Sequence, residues 1–157
     1  MPKVLICYYS QTGNTEKMAQ IIAEAMKRED LAVDLRRVED TKVNSLLDYD
    51  CIVLGSPTYY GSMAWPIKRL LDESIKYHGR LRGKVGGAFS SAANVGGGNE
   101  TTILGMLNAL LIHGMIIQGD HRGDHYGPVA IGFPDDRATK CCDEYAQNLA
   151  GLVKRLF

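Results

Sequence analysis

A polar stretch near the start of the sequence, Ser10-Gln11-Thr12-Gly13-Asn14-Thr15, has the residue types of a phosphate-binding turn. It follows an apolar run, Val4–Tyr9, that is typical of a buried strand, and it precedes apolar positions at helical spacing. A strand-to-helix turn aims backbone N–H groups and the positive end of a helix dipole at one point. Because the stretch contains no Lys or Arg, it suits a phosphate held by dipoles rather than by ion pairs. The alternative is an ordinary helix cap, since Ser, Thr and Asn are the usual capping residues.

Two further loops of similar character follow apolar runs later in the chain. The loop at 56–61 comes after the run 51–55, and the loop at 92–99 comes after the run 85–91. Both loops are rich in Gly, Ser, Thr, Asn or Tyr. In open α/β sheets, ligands lie beyond the carboxyl ends of the strands. Three such loops together therefore indicate a ligand site more strongly than any one of them.

Strand and helix patterns alternate along the whole chain. The sequence predicts strands at 3–9, 31–37, 51–55, 85–91 and 115–118, and helices at 14–28, 64–77, 100–113 and from 135 to 157. Residues 119–134 are expected to be long and irregular. This order predicts a single α/β domain over 1–157, a doubly wound five-stranded parallel sheet with helices on both faces.

The overall composition narrows the classes of partner. Lys and Arg total 18 and Asp and Glu total 18, so nothing in the net charge favours nucleic acid or an anionic membrane surface. No apolar run reaches the roughly 18–20 residues of a membrane-spanning helix, and the start of the chain has no signal-peptide pattern. The four cysteines have no CxxC spacing and are expected to be free thiols, which fits a cytoplasmic protein.

The loop residues resemble those of flavodoxin-like FMN proteins. The stretch Ser10–Thr15 resembles the phosphate loop of that family, and Ser56-Pro57-Thr58-Tyr59-Tyr60-Gly61 resembles its second flavin loop. Three later stretches, Phe89–Ser91, Gly96–Glu100 and Leu111–Met115, are similar to the WrbA branch, the NAD(P)H:quinone oxidoreductases. The resemblance spans nearly the whole chain and implies the strand order 2-1-3-4-5.

The resemblance implies a role for each matching residue. The FMN phosphate would contact Ser10, Thr12, Gly13, Asn14 and Thr15, with Gln11 contributing mainly its backbone. The flavin ring would contact Pro57, Thr58, Tyr59, Tyr60, Gly61, Ser91, Ala92, Ala93, Asn94, Gly96 and Gly97. Gly61 would lie near flavin N5, and His113 matches a histidine that reaches the flavin from a neighbouring subunit. The chain lacks the long insertions of the WrbA branch, so a homodimer and a homotetramer both stay open.

Simpler interpretations exist for several of these residues. The pair Tyr59-Tyr60 is also explained as apolar cover for a strand end. His113 is also explained as a histidine favoured by the dipole at a helix end. The pairs Asp120-His121 and Asp124-His125 have metal-ligating side chains, but a glycine-containing loop of this kind is more typical of solvated residues than of a dedicated site. We therefore expect no metal site.

Two functions from different classes remain open. The first is an enzyme that passes two electrons from NAD(P)H through FMN to a quinone. The second is a single-electron carrier that docks on redox partner proteins. The third loop has no aromatic residue, which would leave one flavin face open to a nicotinamide or a quinone. The zero formal net charge also favours the enzyme, because a carrier that steers to basic partners benefits from an acidic surface.

Overall fold

A parallel β-sheet forms the middle layer of the molecule in the computed structural model, which describes residues 1–157. Its strands are β1 (Lys3–Tyr8), β2 (Ala32–Arg37), β3 (Cys51–Tyr59), β4 (Ser62–Met63), β5 (Val85–Ala92), β6 (Ile116–Ile117) and β7 (Val129–Ile131). Neighbouring strands follow the order β2-β1-β3-β5-β6, and each pairing along this path is parallel. Counted by position, these five strands have the order 2-1-3-4-5, which confirms the predicted fold class.

Four helices cover the two faces of the sheet. They are α1 (Asn14–Arg28), α2 (Trp65–Glu73), α3 (Asn99–Ile112) and α4 (Asp136–Leu156), with short 3₁₀ turns at Val38–Asp40, Val43–Asp48 and Ser74–Tyr77. One core lies against α1 and α4 and contains Met18 and Leu149, and the other lies against α2 and α3 and contains Ile67 and Met106. None of the helices combines the length and apolar character needed to cross a bilayer.

Alternation of side chains along the central strands explains the two cores. Val4 and Ile6 of β1 point to the α1–α4 side, and Leu5 and Cys7 point to the α2–α3 side. All four are buried, because helices cover both faces of a parallel sheet. The continuous apolar runs therefore form strands that are buried on both faces, as predicted.

The last part of the sheet differs from the prediction. Residues 119–134 contain β7, which pairs in parallel with the end of β5 through Ser90 and Val129. The fifth position of the sheet is thus shared by β6 and β7, with residues 118–128 looping out between them. A three-residue strand after a glycine-rich loop carries too few residues for a periodic pattern, so the sequence did not reveal it.

The second loop also differs from the prediction. β3 continues to Tyr59 and turns back through β4, so residues 56–61 are mostly a β-hairpin and not a loop. The sequence pattern missed this because Pro57, a residue uncommon in strands, lies within it.

A close contact between neighbouring strands involves Gly55 of β3 and Phe89 of β5, which are register partners. A Cβ atom placed on Gly55 would lie 2.1 Å from Cζ of the fully buried Phe89 ring. The ring therefore occupies the space that a side chain at position 55 would need.

We expect Gly55→Ala to lower the free energy of unfolding by about 1–3 kcal/mol, because Phe89 must leave its packed position. Gly151→Ala in α4 is the matched control, since a Cβ there meets no atom within 4 Å apart from the backbone of its own helix. That control should raise stability by about 0.5–1 kcal/mol, because alanine favours a helix over glycine. Urea denaturation measures both changes, and equal effects from the two variants would contradict the packing argument.

Candidate functional site

Three segments meet at the carboxyl edge of the sheet, where β1, β3 and β5 end side by side. They are the turn at 9–13, the β3–β4 hairpin at 58–63 and the loop at 93–98. Pairs of hydroxyl groups link the strands and helices that carry them. Thr58 Oγ1 lies 2.9 Å from Ser90 Oγ, and Thr15 Oγ1 lies 2.8 Å from Ser91 Oγ. The strands and the helix that carry the three predicted loops are therefore linked by side-chain hydrogen bonds.

The turn between β1 and α1 leaves helix amides without a side-chain partner. Gly13 is the N-cap of α1, with a left-handed φ of 101° and no side-chain cap. The amides in the first turn of an α-helix have no carbonyl partner within the helix. Ser10 is buried, and its Oγ accepts a hydrogen bond from the Gly13 amide at 3.2 Å. The loop is thus braced internally while the first amides of α1 stay available to an anion.

The hydroxyl groups of this turn differ in their surroundings. Thr12 is exposed, as is Gln11, and Asn14 is half-buried. Thr15 is buried, and its hydroxyl is already bonded to Ser91. Thr12 is therefore the threonine of the turn whose hydroxyl is open to a ligand, a distinction that the sequence could not make.

The hairpin between β3 and β4 presents an aromatic ring to solvent. Tyr60 and Gly61 form its two-residue turn with φ values of 51° and 75°, as a type I′ turn requires. A left-handed φ is uncommon for a residue other than glycine, asparagine or aspartate, so the backbone of Tyr60 is strained. The Tyr60 side chain is also fully exposed. A strained backbone that carries a large exposed ring is typical of a ligand-binding position.

The hairpin is also fixed to its neighbours. Tyr59 Oη donates to Gln11 Oε1 at 3.0 Å, and the Tyr59 ring meets that of Tyr9 edge to face, with centroids 6.4 Å apart. Thr101 Oγ1 lies 2.7 Å from the carbonyl oxygen of Gly61 and 2.9 Å from that of Gly98. Contacts from α3 and from the first loop thus hold the turn from two sides.

The third loop is open and lacks aromatic side chains. Ala93, Asn94, Gly96 and Gly97 are exposed, and the Gly97 amide closes a turn on the Asn94 carbonyl at 3.1 Å. Ala92 and Ser91 are buried at the end of β5, beside the half-buried Pro57 and Thr58 of β3. The only large apolar side chain in this loop is Val95, which is exposed.

Within one chain, His113 lies away from the three loops at the carboxyl edge. It directly follows α3, whose first residues face the hairpin, and 14 residues of helix span roughly 21 Å. The imidazole is buried, and its Nε2 lies 2.7 Å from Ser74 Oγ. Burial and the neighbouring His78 lower the pKa of His113. Contact of this residue with a flavin on a neighbouring subunit stays a prediction.

The aspartates of the 120–125 loop serve as local structural groups. Asp120 accepts from Arg122 and Asn148, and Asp124 accepts from Arg137 and from the Val129 amide. Hydrogen bonds from Arg122 lower the pKa of Asp120 to about 2. No group of three His, Cys, Asp or Glu side chains is arranged to hold a metal ion.

The cysteines are free thiols, as predicted, and most lie in the core. Burial raises the pKa of Cys7 to about 12 and that of Cys142 to about 12, and it also raises the pKa of Cys51. These groups are therefore protonated at neutral pH and are not nucleophiles.

One residue near the site was missed by the sequence analysis. Arg37, the last residue of β2, donates from Nη2 to the Ser10 carbonyl at 2.6 Å. The positive charge of Arg37 thus lies beside the turn at 10–15, which contains no Lys or Arg. Because β2 is the parallel neighbour of β1, the register Tyr8–Arg37 brings this side chain to the loop. Only the strand pairing, and no local motif, could have revealed it.

The family model for flavodoxin matches residues 6–103 of this chain. The chain belongs to the flavodoxin family. It is 36% identical to a flavodoxin from Aquifex aeolicus, over 98% of this chain and 88% of that protein. It is also 30% identical to an NAD(P)H dehydrogenase (quinone) from Archaeoglobus fulgidus, over 99% of this chain and all of that protein. Flavodoxins and proteins named as quinone dehydrogenases are thus both among its relatives.

Solved structures share this flavodoxin fold. A flavodoxin from the domain Archaea has a TM-score of 0.80 and 26% identity, over 97% of this chain and 99% of that chain. A WrbA-like flavodoxin protein from Agrobacterium tumefaciens has a TM-score of 0.85 and 22% identity, with both chains fully covered. The latter likeness shows the fold alone.

Membership of the flavodoxin family implies FMN as the cofactor, and the residues at the carboxyl edge fit that group. The uncapped amides of α1 suit a phosphate, and the exposed Thr12 hydroxyl adds a donor. The exposed Tyr60 ring offers a surface on which a flat ring system can stack.

We expect Thr101→Val to loosen the hairpin, because valine keeps the shape of threonine but cannot donate to the Gly61 carbonyl. Amide hydrogen exchange at residues 60–62, followed by NMR, should become about threefold to tenfold faster. Thr101→Ser keeps the hydroxyl and should retain the slow exchange. Thr102→Val removes a hydroxyl that bonds Gly98 but not Gly61, so the same acceleration in that variant would contradict a specific role for the bond from Thr101 to Gly61.

Proposed function

We propose that this chain binds FMN at the carboxyl edge of the sheet and uses it to pass two electrons from NAD(P)H to a quinone. The observation that carries the proposal is the uncapped amino terminus of α1 together with the exposed ring of Tyr60, whose hairpin is bonded to the turn before α1 through Tyr59 and Gln11. The helix amides suit the phosphate end of FMN, and the aromatic surface suits its flat ring. Relatives named NAD(P)H dehydrogenase (quinone), 30–37% identical to this chain, support the choice of substrates.

The phosphate end of FMN would lie in the turn before α1. Backbone amides and short side chains of this turn would donate to it, and these residues are Ser10, Gln11, Thr12, Gly13, Asn14 and Thr15. Ser10 and Thr15 are buried and brace the turn, so their side chains support the site from behind. A phosphate bound this way needs no ion pair inside the loop.

The ring end of FMN would lie between the hairpin and the third loop. One side would be formed by Pro57, Thr58, Tyr59, Tyr60 and Gly61, and the other by Ser91, Ala92, Ala93, Asn94, Gly96 and Gly97. Since the third loop carries no aromatic residue, the flavin face on that side would be open to a second flat molecule. An open face of this kind suits a nicotinamide first and a quinone afterwards.

FMN, when bound, supplies the redox chemistry, accepting a hydride and later giving up two electrons. The chain binds and orients the reactants. NAD(P)H loses a hydride, which is two electrons and one proton. The quinone gains two electrons and two protons and becomes a quinol, so one further proton comes from solvent. His113 would join this site only from a neighbouring subunit, in a homodimer or homotetramer.

A single-electron carrier is the second candidate. Relatives named flavodoxin, at 36% and 31% identity, favour it. Such a carrier would dock on redox partner proteins through the exposed side chains of the hairpin and the third loop, Tyr60 and Val95. Equal numbers of acidic and basic residues favour the enzyme, because they give no charge with which to steer toward a basic partner. The free thiols suit a cytoplasmic location for either function.

Thr12→Val should weaken FMN binding about tenfold to a hundredfold, because it removes a donor to a charged phosphate. Riboflavin has no phosphate, so its affinity should stay within about threefold of the natural value. Fluorescence titration of flavin-free protein measures both affinities. Equal losses for the two ligands would mean that Thr12 does not contact a phosphate.

The decisive experiment is steady-state oxidation of NADH and NADPH by FMN-loaded protein, with benzoquinone as acceptor. Purified protein should be yellow and release FMN, not FAD, on denaturation.

Ala93→Trp should slow nicotinamide oxidation at least tenfold, because the indole would cover the open flavin face, while FMN stays bound. Ala93→Ser is the control, with a small side chain that covers nothing.

Two results would contradict the enzyme assignment. The first is FMN-loaded protein that oxidises neither nicotinamide. The second is a potential for the first electron that lies far above the potential for the second electron. That order stabilises the one-electron form of the flavin, which a two-electron enzyme does not need. Both together would leave the electron carrier as the better description.

A further inference from the structure

An acidic residue, Glu16, occupies the third position of α1, directly beside the free amides. An acid at this position commonly reaches back to cap the start of its own helix. Its negative charge is also attracted by the helix dipole. Glu16 is therefore a built-in competitor for any anion that binds at this helix end.

Glu16 is nevertheless turned away from the start of α1. Its Oε1 accepts a hydrogen bond from Tyr8 Oη at 2.7 Å and lies 3.7 Å from Arg37 Nη1. No side chain caps α1 in this arrangement. Burial and the hydrogen bond to Glu16 raise the pKa of Tyr8 to about 12, so this phenol stays protonated as a donor.

Arg37 is held firmly enough to direct Glu16. Its Nη2 donates to the Ser10 carbonyl at 2.6 Å, and its guanidinium carbon lies 5.6 Å from the centroid of the Tyr8 ring. The Nε atom of Arg37 also lies 3.6 Å from Oε2 of Glu39. A planar guanidinium with several donors can serve all of these partners at once. Arg37 thereby contacts both Ser10, the first residue of the 10–15 turn (the phosphate turn), and the competing acid, Glu16.

We propose that Arg37 is a positioning residue that holds Glu16 away from the amino terminus of α1 and so keeps the anion site open. This inference rests on the proposed binding of the FMN phosphate at that turn. Without Arg37, only the hydrogen bond from Tyr8 still holds Glu16 away from the amides of α1, and nothing offsets the attraction of its charge to the helix dipole. The two carboxylates of Glu16 and Glu39 also lose the one positive charge between them, and a phosphate carries nearly two negative charges.

The test compares FMN, riboflavin and inorganic phosphate as ligands of flavin-free protein. Arg37→Met should weaken FMN and phosphate binding about tenfold to a hundredfold and leave riboflavin within about threefold. Adding Glu16→Gln to Arg37→Met should restore FMN affinity to within about threefold of Glu16→Gln alone, because glutamine does not compete as an anion. Arg37→Lys should recover part of the loss.

Arg36→Met is the matched control. Arg36 also lies near a tyrosine ring, that of Tyr49 at 5.9 Å, and pairs with Asp34 at 3.0 Å, but it makes no contact with the phosphate turn. Its substitution should leave all three affinities unchanged.

Each alternative outcome has a distinct meaning. Equal losses of FMN and riboflavin in Arg37→Met would make Arg37 a general structural residue and overturn the inference. Failure of Glu16→Gln to restore binding would also overturn it, because Glu16 would then not be the competitor. If the unmodified chain binds neither FMN nor phosphate, the proposed function itself is wrong.

Discussion

The backbone amides at the start of α1 are the constraint around which the carboxyl edge of this protein is organised. Because the N-cap of α1 is Gly13, no N-cap side chain satisfies these amides, so they must bind water or an anion. The side chains around these amides have other partners: Ser10 Oγ accepts from the Gly13 amide, Glu16 accepts from Tyr8 and lies 3.7 Å from Arg37, and Thr15 bonds to Ser91 of β5. The site is thus defined as much by which groups are kept away as by which are present.

Hydroxyl pairs give this edge its rigidity. Each pair links elements that are distant in sequence, and the bond between Thr15 and Ser91 joins residues 76 positions apart. The Thr58–Ser90 pair and the Tyr59–Gln11 bond make similar links across the edge. Binding a flat cofactor costs less conformational entropy when its loops are ordered beforehand. Loops ordered in this way would not need a closing lid to bind the proposed cofactor.

Much of the fold could be predicted from sequence, because the apolar runs of the central strands and the helical spacing of α1 are strong local signals. The observed α1, Asn14–Arg28, has the bounds that its sequence predicts. The missed features depend on tertiary contacts. Arg37 reaches the turn before α1 only through strand register, and the hydroxyl of Thr15 bonds to Ser91 on β5. The β7 strand has three residues and depends on β5 to exist.

The divided fifth position of the sheet has a consequence for how the protein behaves at high concentration. A long, flat edge strand offers unpaired N–H and C=O groups to which another chain can add. Here that edge consists of β6 with two residues and β7 with three, separated by a loop. The opposite edge, β2, carries Asp34, Arg36 and Arg37 among its six residues. Neither edge is a good template for strand addition, so the sheet is protected against growing into aggregates.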